Sequence, residues 1–224
     1  MVIMETFKVI RSKRKSVSLE IAPGAALIVR APFFMDDAAV DKFVIQKRHW
    51  IVKKQKQVLQ RNQTTPEKAF KEGEEFLYLG KQYVLSLRER LIPALFFENG
   101  FLLARDYCYR ARDLFIQWYT RRARLYIPGR VAYFCSRGGV RCAGISIRNT
   151  GSRWGSCGRN GKLNFSCRLM MAPPEIIDYV VAHEVAHLEV MDHSKNFWKK
   201  VRGIFPGYGE CRRWLRENGH RLVI

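Results

Sequence analysis

The stretch EIIDYVVAHEVAHLEV, residues 175–190, runs without Gly or Pro directly after Pro173 and Pro174, a pair that suits the first turn of a helix. Ile176, Ile177, Val180, Val181, Val185, Ala186 and Leu188 cover most of its circumference. A helix apolar on nearly all sides lies at the centre of a fold rather than on its surface. The same helix carries His183, Glu184 and His187. Burying two imidazoles and a carboxylate among valines is costly unless something compensates them.

A metal ion is the compensation that the spacing predicts. His183 and His187 are one turn apart and project from one face, so two ring nitrogens converge on one point. Glu184 lies about 100° around the helix from His183, beside the ion rather than on it. That suits hydrolysis: zinc acidifies a water and polarises a carbonyl, while Glu184 takes the proton and passes it to the leaving amine. A catalytic zinc takes three protein ligands. His193 follows His187 by six residues, enough to leave the helix and curl back, with Asp192 helping the turn. Glu189 points away from that face; Glu210 remains the alternative to the favoured His193. Three neutral imidazoles would leave the ion's double charge intact. The spacing H-E-x-x-H-x5-H also occurs in metzincins, but Val190 stands where their glycine belongs and no methionine follows His193 for a Met-turn.

Upstream, FKVIRSK, SVSLEIA and AALIVRAP alternate as strands do, with Pro23 and Gly24 marking a tight turn, and are expected to form a meander. Residues 36–61 read as one long amphipathic helix with a lysine-rich outer face. EFLYLG and QYVLSLR form a hairpin across Gly80 and Lys81, and GFLLAR adds a strand. From Asp106 to about Cys135 the pattern is helical, with Pro128 expected to break or kink it. AGISIRNT and KLNFSCRLM read as strands separated by the loop GSRWGSCGRNG. The expectation is an α+β chain: a β-rich region with one long helix over 1–105 and a catalytic region over 106–224, packed as one unit.

Charge is the outlier in composition. Lys and Arg number 40 against 20 Asp and Glu, a net +20. Residues 101–224, which hold four of the five histidines, carry 22 basic against 9 acidic residues. Such a field attracts polyanions, so nucleic acid is a possible partner beside a protein or peptide substrate; a merely solubilising role is the plainer reading. The six cysteines form no C-x-x-C pair, which fits free thiols in a reducing compartment. Glu5 and Lys8 interrupt the only possible leader core, and no apolar run is long enough for a membrane span, so a soluble, cytoplasmic protein is expected.

The segment RNTGSRWGSCGRNGKLNFSCRLMMAPPEIIDYVVAHEVAHLEVMDHSKNFWKKV closely resembles the core of the YgjP-like metallopeptidases, and RSKRKSVSLEI and YLGKQYVLSL extend the likeness over almost the whole chain. The resemblance implies a zincin-like α+β catalytic region with one zinc on His183, His187 and His193 and with Glu184 as the catalytic residue. It also implies kinship with the SprT-like and WLM metalloproteases, some of which degrade proteins attached to DNA. A nucleic-acid-associated zinc protein with restricted proteolysis is therefore the alternative. The family often has Leu where Val185 stands, a packing change. Arg153, Trp154, Ser156 and Asn164 are candidate cleft residues, with core packing an equal reading for Trp154. KLNFSC is a candidate edge strand for an extended peptide. Tyr208 and His220 are candidate oxyanion donors. Phe197 and Trp198, after the N-cap Ser194, read as core anchors of the next helix.

Overall fold

The computed structural model describes residues 7–22, 24–64 and 67–224, and the backbone alone at 60–64. Residues 1–6, 23, 65 and 66 lie outside, and with them Glu5 and the Pro23 of the expected turn. The chain divides into two compact units, Met1–Pro66 and Glu67–Ile224. The division falls before residue 67, so the strands between residues 75 and 104 belong to the unit that holds His183, His187 and His193.

In the first unit, β1 (Lys8–Ser12), β2 (Ser18–Ile21) and β3 (Leu27–Pro32) form a sheet in the order β1-β3-β2, with β1 parallel to β3. The expected meander is thus replaced by a sheet centred on its most apolar strand. Leu27, Val29 and Ala31 are buried, and the central place pairs both edges of that strand. The long helix expected over 36–61 is two helices, α1 (Asp37–Gln46) and α2 (Arg48–Thr64), divided at Lys47 (φ −96°, ψ 8°). Asp36 caps α1, accepting from the Ala39 N–H at 2.7 Å. Val40, Val44 and Ile51 share one small core with β3.

The second unit begins with β4 (Glu75–Tyr78) and β5 (Lys81–Arg88), an antiparallel hairpin, followed by β6 (Leu95–Phe97) and β7 (Phe101–Ala104) in the sheet order β4-β5-β7-β6. The hairpin turns at Leu79 and Gly80, both with positive φ, where only glycine is at ease. Their N–H groups donate to the carbonyls of Met170 and Met171, and a side chain at Gly80 would strike Pro173. The turn thereby clamps the entry to the histidine helix.

α3 (Ala111–Gly138) buries Ala111, Phe115, Tyr119, Ala123, Ile127 and Val131 at an unbroken i, i+4 spacing. Pro128 sits inside this helix without ending it. The buried stripe continues on both sides of the proline, and the unpaired carbonyl falls to Arg124, whose residue is exposed. β8 (Gly144–Arg148), β9 (Gly155–Cys157) and β10 (Lys162–Ser166) form a third sheet in the order β8-β10-β9. β10 is therefore central, not the expected edge: Leu163 and Phe165 are fully buried and both its edges are paired. After one tight turn at Cys167–Met171 come α4 (Pro174–Ala186), α5 (Lys195–Ile204) and α6 (Tyr208–Asn218).

α4 is the central helix, in contact with α3, α5, α6 and β9. The Arg130 guanidinium grips the Asp178 carboxylate through two bonds of 2.6 and 2.7 Å, joining α3 to α4. Among the described residues no helix is long and apolar enough to cross a membrane.

Candidate metal centre

His183 and Glu184 lie in the last turn of α4, and His187 is its C-cap. The chain then folds back: the His187 Nδ1–H donates to the Val190 carbonyl at 2.9 Å, and the Asp192 carboxylate accepts from the Ser194 N–H at 3.0 Å. Ser194 in turn caps α5 by accepting from Phe197 N–H. These bonds return His193 to the helix. One ligand nitrogen from each of His183, His187 and His193 falls within 4.8 Å of the others. Phe197, fully buried, floors the cluster, its ring 4.9, 4.3 and 4.9 Å from the rings of His183, His187 and His193.

The donor set fits a metal ion. His183 and His193 face each other through Nε2 atoms 3.2 Å apart. Two nitrogens on adjacent corners of a tetrahedral zinc, with ordinary bond lengths, stand about 3.3–3.4 Å apart. The bond from His187 Nδ1–H to a carbonyl selects the tautomer that leaves Nε2 free to ligate. Burial, and then the adjoining His187 and His193, pull His183 down to about 3, so the ring is neutral, as a ligand must be. Burial likewise lowers His187.

Glu184 is 5% exposed, and its Oε2 is buried without a hydrogen-bond partner among the described residues. Burial pushes its carboxyl up to about 8. It lies against β9, where a side chain built on Gly155 would come within 2.6 Å of Glu184 Cγ and Oε1. Cys157, two residues along the same face of β9, also faces this carboxylate, and its thiol is raised by burial and then by Glu184.

A family model for the YgjP-like metallopeptidase domain matches residues 15–218. The chain belongs to the YgjP-like metallopeptidase family. Comparison with curated proteins finds no match. Among solved structures, this YgjP-like chain is similar to the metallopeptidase zymogen of Pyrococcus abyssi abylysin, at 21% identity and a TM-score of 0.38, over 43% of this chain and 99% of that one.

The remaining candidate residues of the YgjP-like chain fall into separate places. Arg153, Ser156 and Asn164 line a cavity of about 370 Å³ together with Arg148 and Thr150. Asn164 donates to Ser156 Oγ at 3.2 Å. Gly155 and Cys157 face Glu184, so by strand alternation Ser156 points to the opposite side of β9. This places Ser156 and Asn164 behind the sheet rather than beside the histidines. Trp154 packs against the core and against the backbone of Gly219. His220 follows in the turn Gly219–Arg221. Glu189 pairs with Lys200, and Glu210 lines a different cavity with Glu175 and Glu217, leaving His193 as the third member of the cluster.

Tyr208 stacks on Trp198 at 5.4 Å, and Trp198 in turn lies 5.7 Å from the His183 ring and 6.0 Å from that of His193. The sequence reading did not include Arg212, one turn after Tyr208, whose guanidinium covers Trp198 at 4.6 Å. Its charge is felt at His183 and at the buried Tyr179, whose hydroxyl burial raises to about 12. The i, i+4 pair Tyr208 and Arg212 was the signal available in the sequence.

Proposed function

We propose that this chain is a zinc-dependent peptidase in which Glu184 is the general base. The observation that carries the reading is three imidazole nitrogens within 4.8 Å beside a buried, unpartnered carboxylate oxygen. His183, His187 and His193 would hold the ion. When bound, zinc supplies a Lewis acid that polarises the scissile carbonyl and makes water acidic enough to be activated near neutral pH. In its ionised form Glu184 accepts a proton from the attacking water and returns it to the leaving amine. The wall formed by Gly155 keeps its carboxylate turned to that task.

An extended peptide would add to the free edge of β9, because β10 is paired on both sides and β9 is the strand that touches Glu184. Arg212 and Tyr208, held on Trp198, supply a cation and a hydroxyl near the histidines for a developing oxyanion.

Metal analysis of the purified chain should find about one zinc, and chelation should abolish hydrolysis of an unfolded protein, with zinc restoring it. His183→Ala and His187→Ala should each lose the metal. Undiminished zinc in both variants, or full hydrolysis after complete chelation, would overturn the reading.

A further inference from the structure

The cavity behind the third sheet has a chemistry of its own. Arg148, Arg153, Thr150, Ser152, Ser156 and Asn164 are among the residues that line it. No carboxylate lines it. Two other cavities of the same unit differ on this point: one places Glu189 beside Arg137 and Lys199, and the other places Glu175, Glu210 and Glu217 around Arg213. Among the described residues, neither Arg148 nor Arg153 has an ion-pair partner; Arg148 donates only to Ser146 Oγ, at 3.4 Å.

Two guanidinium groups without an ion-pair partner among the described residues, beside several hydroxyls, attract an oxyanion. The guanidinium fork matches phosphate oxygens through paired, charge-assisted hydrogen bonds, and hydroxyls donate to the oxygens that remain. The volume, about 370 Å³, lies in the range of small-ligand sites, and the cavity opens to solvent, with Arg148, Ser152 and Arg153 exposed. The net charge of +20 raises the local concentration of any polyanion that could present such a group.

We propose that this cavity is a phosphate-binding site, with Arg148 and Arg153 as the charged ligands and Ser152 and Ser156 as neutral donors, the Thr150 hydroxyl being committed to the Arg153 carbonyl at 3.1 Å. The phosphate is either a free phosphate or one phosphodiester of a single-stranded nucleic acid; the two share the same chemistry at the arginines. The site does not depend on the metal centre, because Ser156 and Asn164 face away from Glu184 across β9.

The test uses the full zinc-loaded chain at low ionic strength, titrated with inorganic phosphate by calorimetry and, separately, with a fluorescent oligothymidylate by anisotropy. The double variant Arg148→Ala/Arg153→Ala should weaken phosphate binding about tenfold or more. The control Arg121→Ala/Arg124→Ala removes the same charge from exposed positions on α3 and should change binding by no more than about twofold. Oligonucleotide displaced by phosphate, and weakened by the same double variant, identifies the source as a nucleic-acid backbone. Phosphate binding lost in the double variant with oligonucleotide binding unchanged identifies a free phosphate; both results support the site. Equal weakening by the control pair, or a wild-type chain that binds no phosphate at low salt, would overturn it.

Discussion

Glu184→Gln should leave the zinc content of the chain unchanged and lower peptide hydrolysis by about 10²–10⁴-fold, the usual contribution of a general base. Glutamine fills the same space against Gly155 but cannot take a proton from water, and the three nitrogens of the cluster come from other residues. The metal-free protein offers a second readout. Glu184 has a folded value of about 8 against an ordinary 4.5, so the folded chain holds a proton that the unfolded chain has released. Its contribution to stability is therefore full at low pH and is lost as pH rises from about 4.5 through about 8. His183 works in the opposite sense: with a folded value of about 3 against 6.5, it costs stability as pH falls through that window. Melting temperatures of the chelated proteins at pH 5.5 and 8.5 separate the two effects, since both variants retain His183. Wild type should lose more stability than Glu184→Gln on that rise. Hydrolysis at the wild-type rate by the glutamine variant would remove Glu184 from the reaction.

The features legible in the sequence are those written locally. The proline pair, the apolar circumference of α4 and the cap at Ser194 each sit within one turn of what they determine, and α4 and α5 begin where those signals stand. The features hidden from it depend on pairing between distant segments. β9 lies within the Gly- and Ser-rich stretch GSRWGSCGRNG, and three such residues carry no alternation; they are a strand because β10 pairs with them. The same pairing moved β10 from the edge to the centre and put Ser156 and Asn164 behind the sheet. Lys47 divides α1 from α2 without Gly or Pro to mark it, whereas Pro128, which should have marked an end, is carried by the buried stripe of α3. Arg212 was missed for a related reason: its place near His183 follows from how α6 packs on Trp198, a relation between helix faces.

Gly155→Ala carries the largest consequence for a residue with no chemistry of its own. Its added methyl would stand 2.6 Å from Glu184 Cγ and Oε1 and 2.8 Å from Cδ, closer than non-bonded heavy atoms approach. The backbone of neither element has room to retreat. β9 is bonded to β10 through Gly155↔Phe165 and Cys157↔Leu163, and Glu184 springs from a helix buried on nearly all sides. The side chain that gives way is therefore Glu184, rotated off its working position. Hydrolysis should fall about 10²-fold with zinc retained, and stability should fall by about 1–3 kcal/mol, the usual cost of overpacking a core. A double-mutant cycle ties both losses to one contact. Glu184→Ala removes Cγ and the carboxylate, so adding the alanine at 155 to that background should cost almost nothing in denaturant-melt stability. An equal cost in both backgrounds would mean that the methyl strains the strand itself, and the contact between β9 and the carboxylate would then have no part in holding the base in place.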